Sequence, residues 1–138
     1  MKKTLAVALL FVVAACAGSS SGKTTGPASS LASADRDKFV GTWTGSYGCA
    51  GLGTPVSDKL TIAIGSGDLD FSITIHATYA NPDTVSGNLT GPNQISVPEQ
   101  SMGGAPGTAK ITLQGAVLEY SQTGLGVTCG GKDYARAP

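Results

Sequence analysis

Charge is scarce in this sequence: nine Lys and Arg and nine Asp and Glu make up 13% of 138 residues and cancel to a formal net charge of zero. No basic cluster stands ready to neutralise a phosphate backbone, which argues against nucleic acid as a partner. Histidine occurs once, as His76, and tryptophan once, as Trp43. No apolar run reaches the roughly 20 residues that a helix needs to cross a bilayer. No Gly-rich loop is followed by Lys and a helix, no ligand set suits a metal, and no dinucleotide fingerprint occurs, so the sequence predicts no cofactor and no metal. Present instead are 20 glycines, about twice the usual frequency, with many threonines. Such a composition points to β structure with many turns.

The N-terminus reads as an export signal. Lys2 and Lys3 form a positive start, and Leu5 to Ala15 is apolar throughout, about 11 residues and too short to span. It ends at Val13-Ala14-Ala15-Cys16, which resembles the lipobox of bacterial lipoproteins, an aliphatic and two small residues before a cysteine. The resemblance implies cleavage before Cys16 and a diacylglycerol on its sulfur; the alternative is an ordinary secretory signal cut at Ala15 or Ala17. Two or more acyl chains give stable attachment where one does not. Ala17 and Gly18, rather than Asp, follow the cysteine, which in this family implies the outer membrane, on its periplasmic face or the cell surface. Loss of Lys2 and Lys3 leaves the mature chain slightly acidic. Residues 17–36, rich in Ser, Thr, Gly and Pro, read as a flexible linker that holds its ends roughly 25 Å apart. The expected organisation is a signal peptide at 1–15, the lipidated cysteine and linker at 16–37, and one domain at 38–138.

With Cys16 lipidated, Cys49 and Cys129 remain, in a compartment where disulfides form. A bond between them predicts Cα atoms roughly 4.4 to 6.8 Å apart; the alternatives are two free thiols or a metal site.

From Phe39 onward apolar residues alternate with a period of two, most clearly in Leu69, Phe71, Ile73, Ile75, Ala77 and Tyr79. Strands are predicted at 39–48, 58–65, 69–79, 84–90, 94–98, 108–114, 116–122 and 127–135, separated by Gly, Pro and Asn signals. The fold class is all-β: a small antiparallel up-and-down barrel, with a sandwich as the alternative. The bridge favours the barrel. Cys49 ends the first strand and Cys129 opens the last, and in a closed barrel with an even strand number those ends are neighbours, so the bond locks the seam. Phe39, Trp43, Leu60, Ile62, Phe71, Ile73, Ile75, Ile111, Leu113, Leu118 and Tyr120 are predicted to share the interior.

Gly41-Thr42-Trp43 on the first strand resembles the Gly-x-Trp of lipocalin-like and avidin-like barrels. The resemblance implies that Trp43 closes one end of the barrel beneath a basic residue of the last strand, for which Arg136 is placed. Trp43 can equally be a plain core residue, or can line a pocket.

Candidates for chemistry are few. Gly18-Ser19-Ser20-Ser21-Gly22 matches a hydrolase pattern but lacks the strand-to-helix elbow that exposes the serine. His76 falls on the polar phase of its strand with no nucleophile marked out beside it. Asp68 and Asp70 lack the loop grammar of a Ca²⁺ site. Asn88-Leu89-Thr90 is a formal glycosylation sequon that carries little weight in a bacterial exported protein. The expectation is therefore a non-catalytic envelope lipoprotein that binds a small apolar ligand or an envelope protein. The alternatives are a structural or assembly component of the envelope, or an inhibitor of a host or envelope hydrolase.

Overall fold

The computed structural model describes residues 33–66, 70–77 and 81–138. Eight antiparallel strands, each paired with its sequence neighbours, close into a barrel: β1 (Gly41–Cys49), β2 (Leu52–Ile64), β3 (Asp70–Ala77), β4 (Asp83–Gly91), β5 (Gln94–Met102), β6 (Ala105–Gln114), β7 (Val117–Gly124) and β8 (Val127–Arg136). Closure comes from β1 and β8, where Trp43 faces Arg136 and Cys49 faces Cys129. The small antiparallel up-and-down barrel predicted from the alternation is the observed fold, its β1–β8 seam paired at Trp43–Thr44 and Gly48–Cys49 with a register shift between them.

The alternation sets the interior. Leu60, Ile62, Phe71, Ile73, Val85, Ile95, Ile111 and Leu118 are buried, at 2% exposure or less, and Phe39 seats its ring edge-on against Phe71, centroids 5.9 Å apart. Leu113, expected inside, is only partly buried and packs against the core from its border.

Strand limits differ from the expectation where proline stands. Residues 52–57 of β2 continue the strand and pair with β1, while among the described residues pairing with β3 begins at Asp58. Pro98 lies in the register shift between Val97 and Gln100, so β5 runs on to Met102 and the expected 103–107 loop shrinks to a turn at Gly103 and Gly104, both with positive φ. A short helix, α1 (Ser33–Asp37), occupies the last residues assigned to the linker; Lys38 pairs with Asp35 at 2.5 Å on its far side. Cys16, the 17–32 linker, the Gly18–Gly22 pattern and Asp68 lie outside the described residues.

Candidate functional site

The two ends of the barrel are built from different residues. One end carries α1, the β4–β5 and β6–β7 turns and the C-terminus. The other carries the β1–β2, β5–β6 and β7–β8 turns, with Asn81 and Pro82 leading into β4.

At the first end Trp43 is 2% exposed. Its indole Nε1 donates to the Phe39 carbonyl at 2.9 Å. The Arg136 guanidinium lies over the indole, 4.5 Å from the ring centroid, and donates through Nη1 to Val40 O at 2.6 Å and through Nη2 to Lys38 O. Two backbone carbonyls of the incoming chain thus orient the arginine, and the stacking adds roughly 0.5–2 kcal/mol. The outer edge of Trp43 borders an open surface depression of about 390 Å³ shared with Leu113 and Arg136. Among the described residues Trp43 plugs this end, the sealed end of the barrel.

The other end is polar inside. Asp58 occupies an inward position on β2, the continuation of Leu60 and Ile62, and is 5% exposed. Tyr134 donates its hydroxyl to Asp58 Oδ2 at 2.6 Å, while Asp58 Oδ1 has no hydrogen-bond partner. Tyr120 and Tyr47 both donate to Gln122 Oε1, at 2.8 and 3.4 Å. The three rings form one wall, with centroids 6.1 Å apart for Tyr47 and Tyr120 and 6.4 Å for Tyr120 and Tyr134. Gly45 makes room for it: a Cβ there would meet the Tyr134 ring at 2.8 Å. Gly131 is needed for the same reason, since a Cβ would lie 1.9 Å from Ser46 O on the neighbouring strand.

Burial raises the pKa of all three tyrosines, for Tyr134 reinforced by its hydrogen bond to Asp58 and for Tyr47 by the Asp58 charge. They stay neutral and present ring faces and hydroxyls, not phenolates. Above this layer a cavity of about 100 Å³ opens outward between Tyr47, Ile75, Asn81, Asp83, Met102, Gly103 and Gln122.

The same end is where β4 and β5 part. Their pairing covers Asn88–Gly91 with Gln94–Ser96, and further along Gln100 replaces the missing backbone. Its Oε1 accepts from Ser86 N at 2.9 Å, and its Nε2 donates to Ser86 O at 2.8 Å. Asp83 Oδ2 accepts from Gly103 N at 2.5 Å and ties the rim together.

Cys49 and Cys129 form a disulfide across the seam at this end. Their Cα atoms are 3.9 Å apart, closer than the range expected. Ala50 N donates to Thr128 O at 3.0 Å, so the neighbouring pair is the hydrogen-bonded one and the cysteines occupy a non-hydrogen-bonded position, where strands approach to about 4.5 Å. A bond enclosing 80 residues is worth roughly 4 to 5 kcal/mol in the chain-entropy model. At the same end stand the two most exposed large apolar residues among those described, Leu52 at 61% and Leu125 at 79%. Leu125 also has φ of 51°, followed by Gly126 at 77°, a hairpin turn that favours Asn-Gly.

His76 faces outward opposite Lys59 on the β2–β3 surface, and Asp70 opens β3. Neither belongs to the polar layer. Sequence reasoning placed Trp43, Arg136, Cys49 and Cys129 but missed Asp58, Gln122, Tyr134 and the inward role of Tyr47. The signal for Asp58 was there: the period-two phase of Leu60 and Ile62, extended one step, lands on a carboxylate. No known protein family matches the chain, and no curated protein does.

Proposed function

We propose that the protein is a non-catalytic binding module of the cell envelope, held through a lipid on Cys16 to the outer membrane, that engages a partner protein with the open end of its barrel. The observation that carries this reading is the filled interior. Side chains pack the barrel from Phe39 to Tyr120, and the cavity at the open end, about 100 Å³, is well below the roughly 300–1,000 Å³ of small-molecule sites. A sizeable apolar ligand has no room inside. Leu52 and Leu125 standing out on the rim fit a surface that is covered when a partner docks. A spacer in the envelope has no need of them, least of all with Leu125 in a backbone conformation that disfavours it. The chain enters the barrel through α1 at the sealed end, so a tether joined there leaves the open end free.

Two experiments test this. In the first, Cys16→Ser moves the protein from the membrane to a soluble fraction; a mutant still bound to membranes overturns the anchor. In the second, the native protein is purified with whatever it retains and analysed by mass spectrometry beside Leu52→Asp/Leu125→Asp. A protein recovered with the wild type and lost from the double variant supports the reading. A retained lipid in place of a protein overturns it, as does equal recovery with both forms.

A further inference from the structure

The polar layer at the open end has a definite proton polarity. The hydroxyl hydrogens of its three tyrosines are committed, that of Tyr134 to Asp58 and those of Tyr120 and Tyr47 to Gln122. Asp58 Oδ1 is left without a hydrogen-bond partner, and the Tyr47 and Tyr120 oxygens, spent as donors to Gln122, keep lone pairs. Asp58 takes part in no ion pair among the described residues. A carboxylate buried to this degree on a single neutral hydrogen bond is costly, and that cost is relieved by a positive charge. Asp58 stands opposite Gly45 and Ala77, diagonally between Tyr47 and Ile75, and both of these line the cavity that opens outward. Asp83 lies on the rim of the same cavity.

We propose that this chamber binds an alkylammonium group, with the Tyr47 oxygen and ring face as its nearest contacts, Asp83 on its rim and the buried Asp58 behind the tyrosine layer as its counter-charges. The proposal deepens the binding-module reading but uses a different set of residues from the leucine rim. Ring faces attract ammonium ions through their quadrupole. A hard metal ion instead takes six to eight oxygens, and no group of three or more His, Cys, Asp or Glu suited to a metal occurs among the described residues. At about 30 Å³ for each water-sized group, the 100 Å³ cavity takes the head of a small amine or the tip of a lysine side chain.

The test is a titration of the full chain in detergent with n-butylammonium chloride, with n-butanol and sodium chloride as controls, followed by the NMR signals of the tyrosine rings. Saturable shifts at millimolar amine, absent with both controls and weakened at least tenfold in Asp58→Asn, are expected. Tyr134→Phe keeps the carboxylate and retains the response, which covers the case of an Asp58 variant that fails to fold. No saturable shift, an equal response to butanol, or full retention in a folded Asp58→Asn overturns the proposal. Leu52→Asp/Leu125→Asp leaves the amine response intact, so failure of the rim and failure of the chamber are separable. Butylammonium that displaces a captured partner identifies the source as a lysine side chain, and butylammonium that binds without displacing it identifies a free amine.

Discussion

The sealed and open ends of this barrel use aromatic residues in opposite ways. At the sealed end every polar atom of the aromatic cluster is answered from within the chain: the Trp43 N–H by Phe39 O, the indole face by Arg136, and the guanidinium by Lys38 O and Val40 O. At the open end the tyrosines bond to Gln122 and Asp58, yet Asp58 Oδ1 is still left without a partner and two leucines project into solvent. Ile64 and Val117 are exposed at the sealed end as well, at 42% and 37%, but less than the two leucines. Within the aromatic clusters, completeness marks the end that holds the fold together, and incompleteness marks the end at which we propose that a partner binds. Departures from self-consistency in an otherwise consistent fold concentrate where a protein functions.

The largest effect that can break this contrast is at Trp43. Trp43→Ala removes the biggest buried ring and leaves Arg136 without its stacking partner, a loss of about 3 to 5 kcal/mol, enough to consume much of the usual 5 to 15 kcal/mol. Urea denaturation should show it. An unchanged midpoint would mean that the sealed end is not a structural plug.

Alkaline pH probes the other end. Tyr47, Tyr120 and Tyr134 have raised pKa values in the folded state, while in the unfolded chain they ionise near the ordinary value of about 10. The unfolded state therefore holds fewer protons above that value, and stability falls as pH rises. The tyrosine contribution is fully present below about pH 10 and is lost as pH climbs toward the folded-state values. Melting temperature followed with tyrosinate absorbance should show these three ionising only as the barrel unfolds; ionisation near pH 10 with the fold intact would refute a closed tyrosine layer.

Much of this architecture was legible in the sequence and part was not. Strict alternation around Phe71, Ile73 and Ile75 gave the inward face. The placement of Cys49 and Cys129 at strand ends gave barrel closure, because the up-and-down topology brings those two ends together. Gly41-Thr42-Trp43 and Arg136 pointed to the sealed end, where the two side chains stack. The open end was harder to see because its chemistry is assembled across the barrel. Asp58 and Tyr134 are 76 residues apart and meet only after closure. Tyr47 and Gln122, 75 residues apart, are joined the same way. Gln100 was unreadable for a different reason: a side-chain amide standing in for a strand is needed only because β4 and β5 separate at a bulge, and no periodic pattern announces that. The fifth strand was expected to stop at Pro98, whereas the structure carries that proline in a bulge and continues to Met102.

The smallest effect has the opposite sign from the others. Leu125 combines 79% exposure with a φ of 51°, so Leu125→Asn gives the turn its preferred Asn-Gly pair and should stabilise the domain by about 1 kcal/mol. Recovery of the partner should decrease at the same time. A variant that is less stable, or more stable with undiminished capture, would remove Leu125 from the binding surface.

The division of labour between the two ends is tested most directly by amide hydrogen exchange on the full chain, alone and with the proposed partner protein. Added protection is predicted in the turns at 49–53, 103–104 and 124–127, with residues 38–43 and 134–136 unchanged. Protection confined to 38–43 and 134–136, with the disulfide-end turns unaffected, would contradict the account.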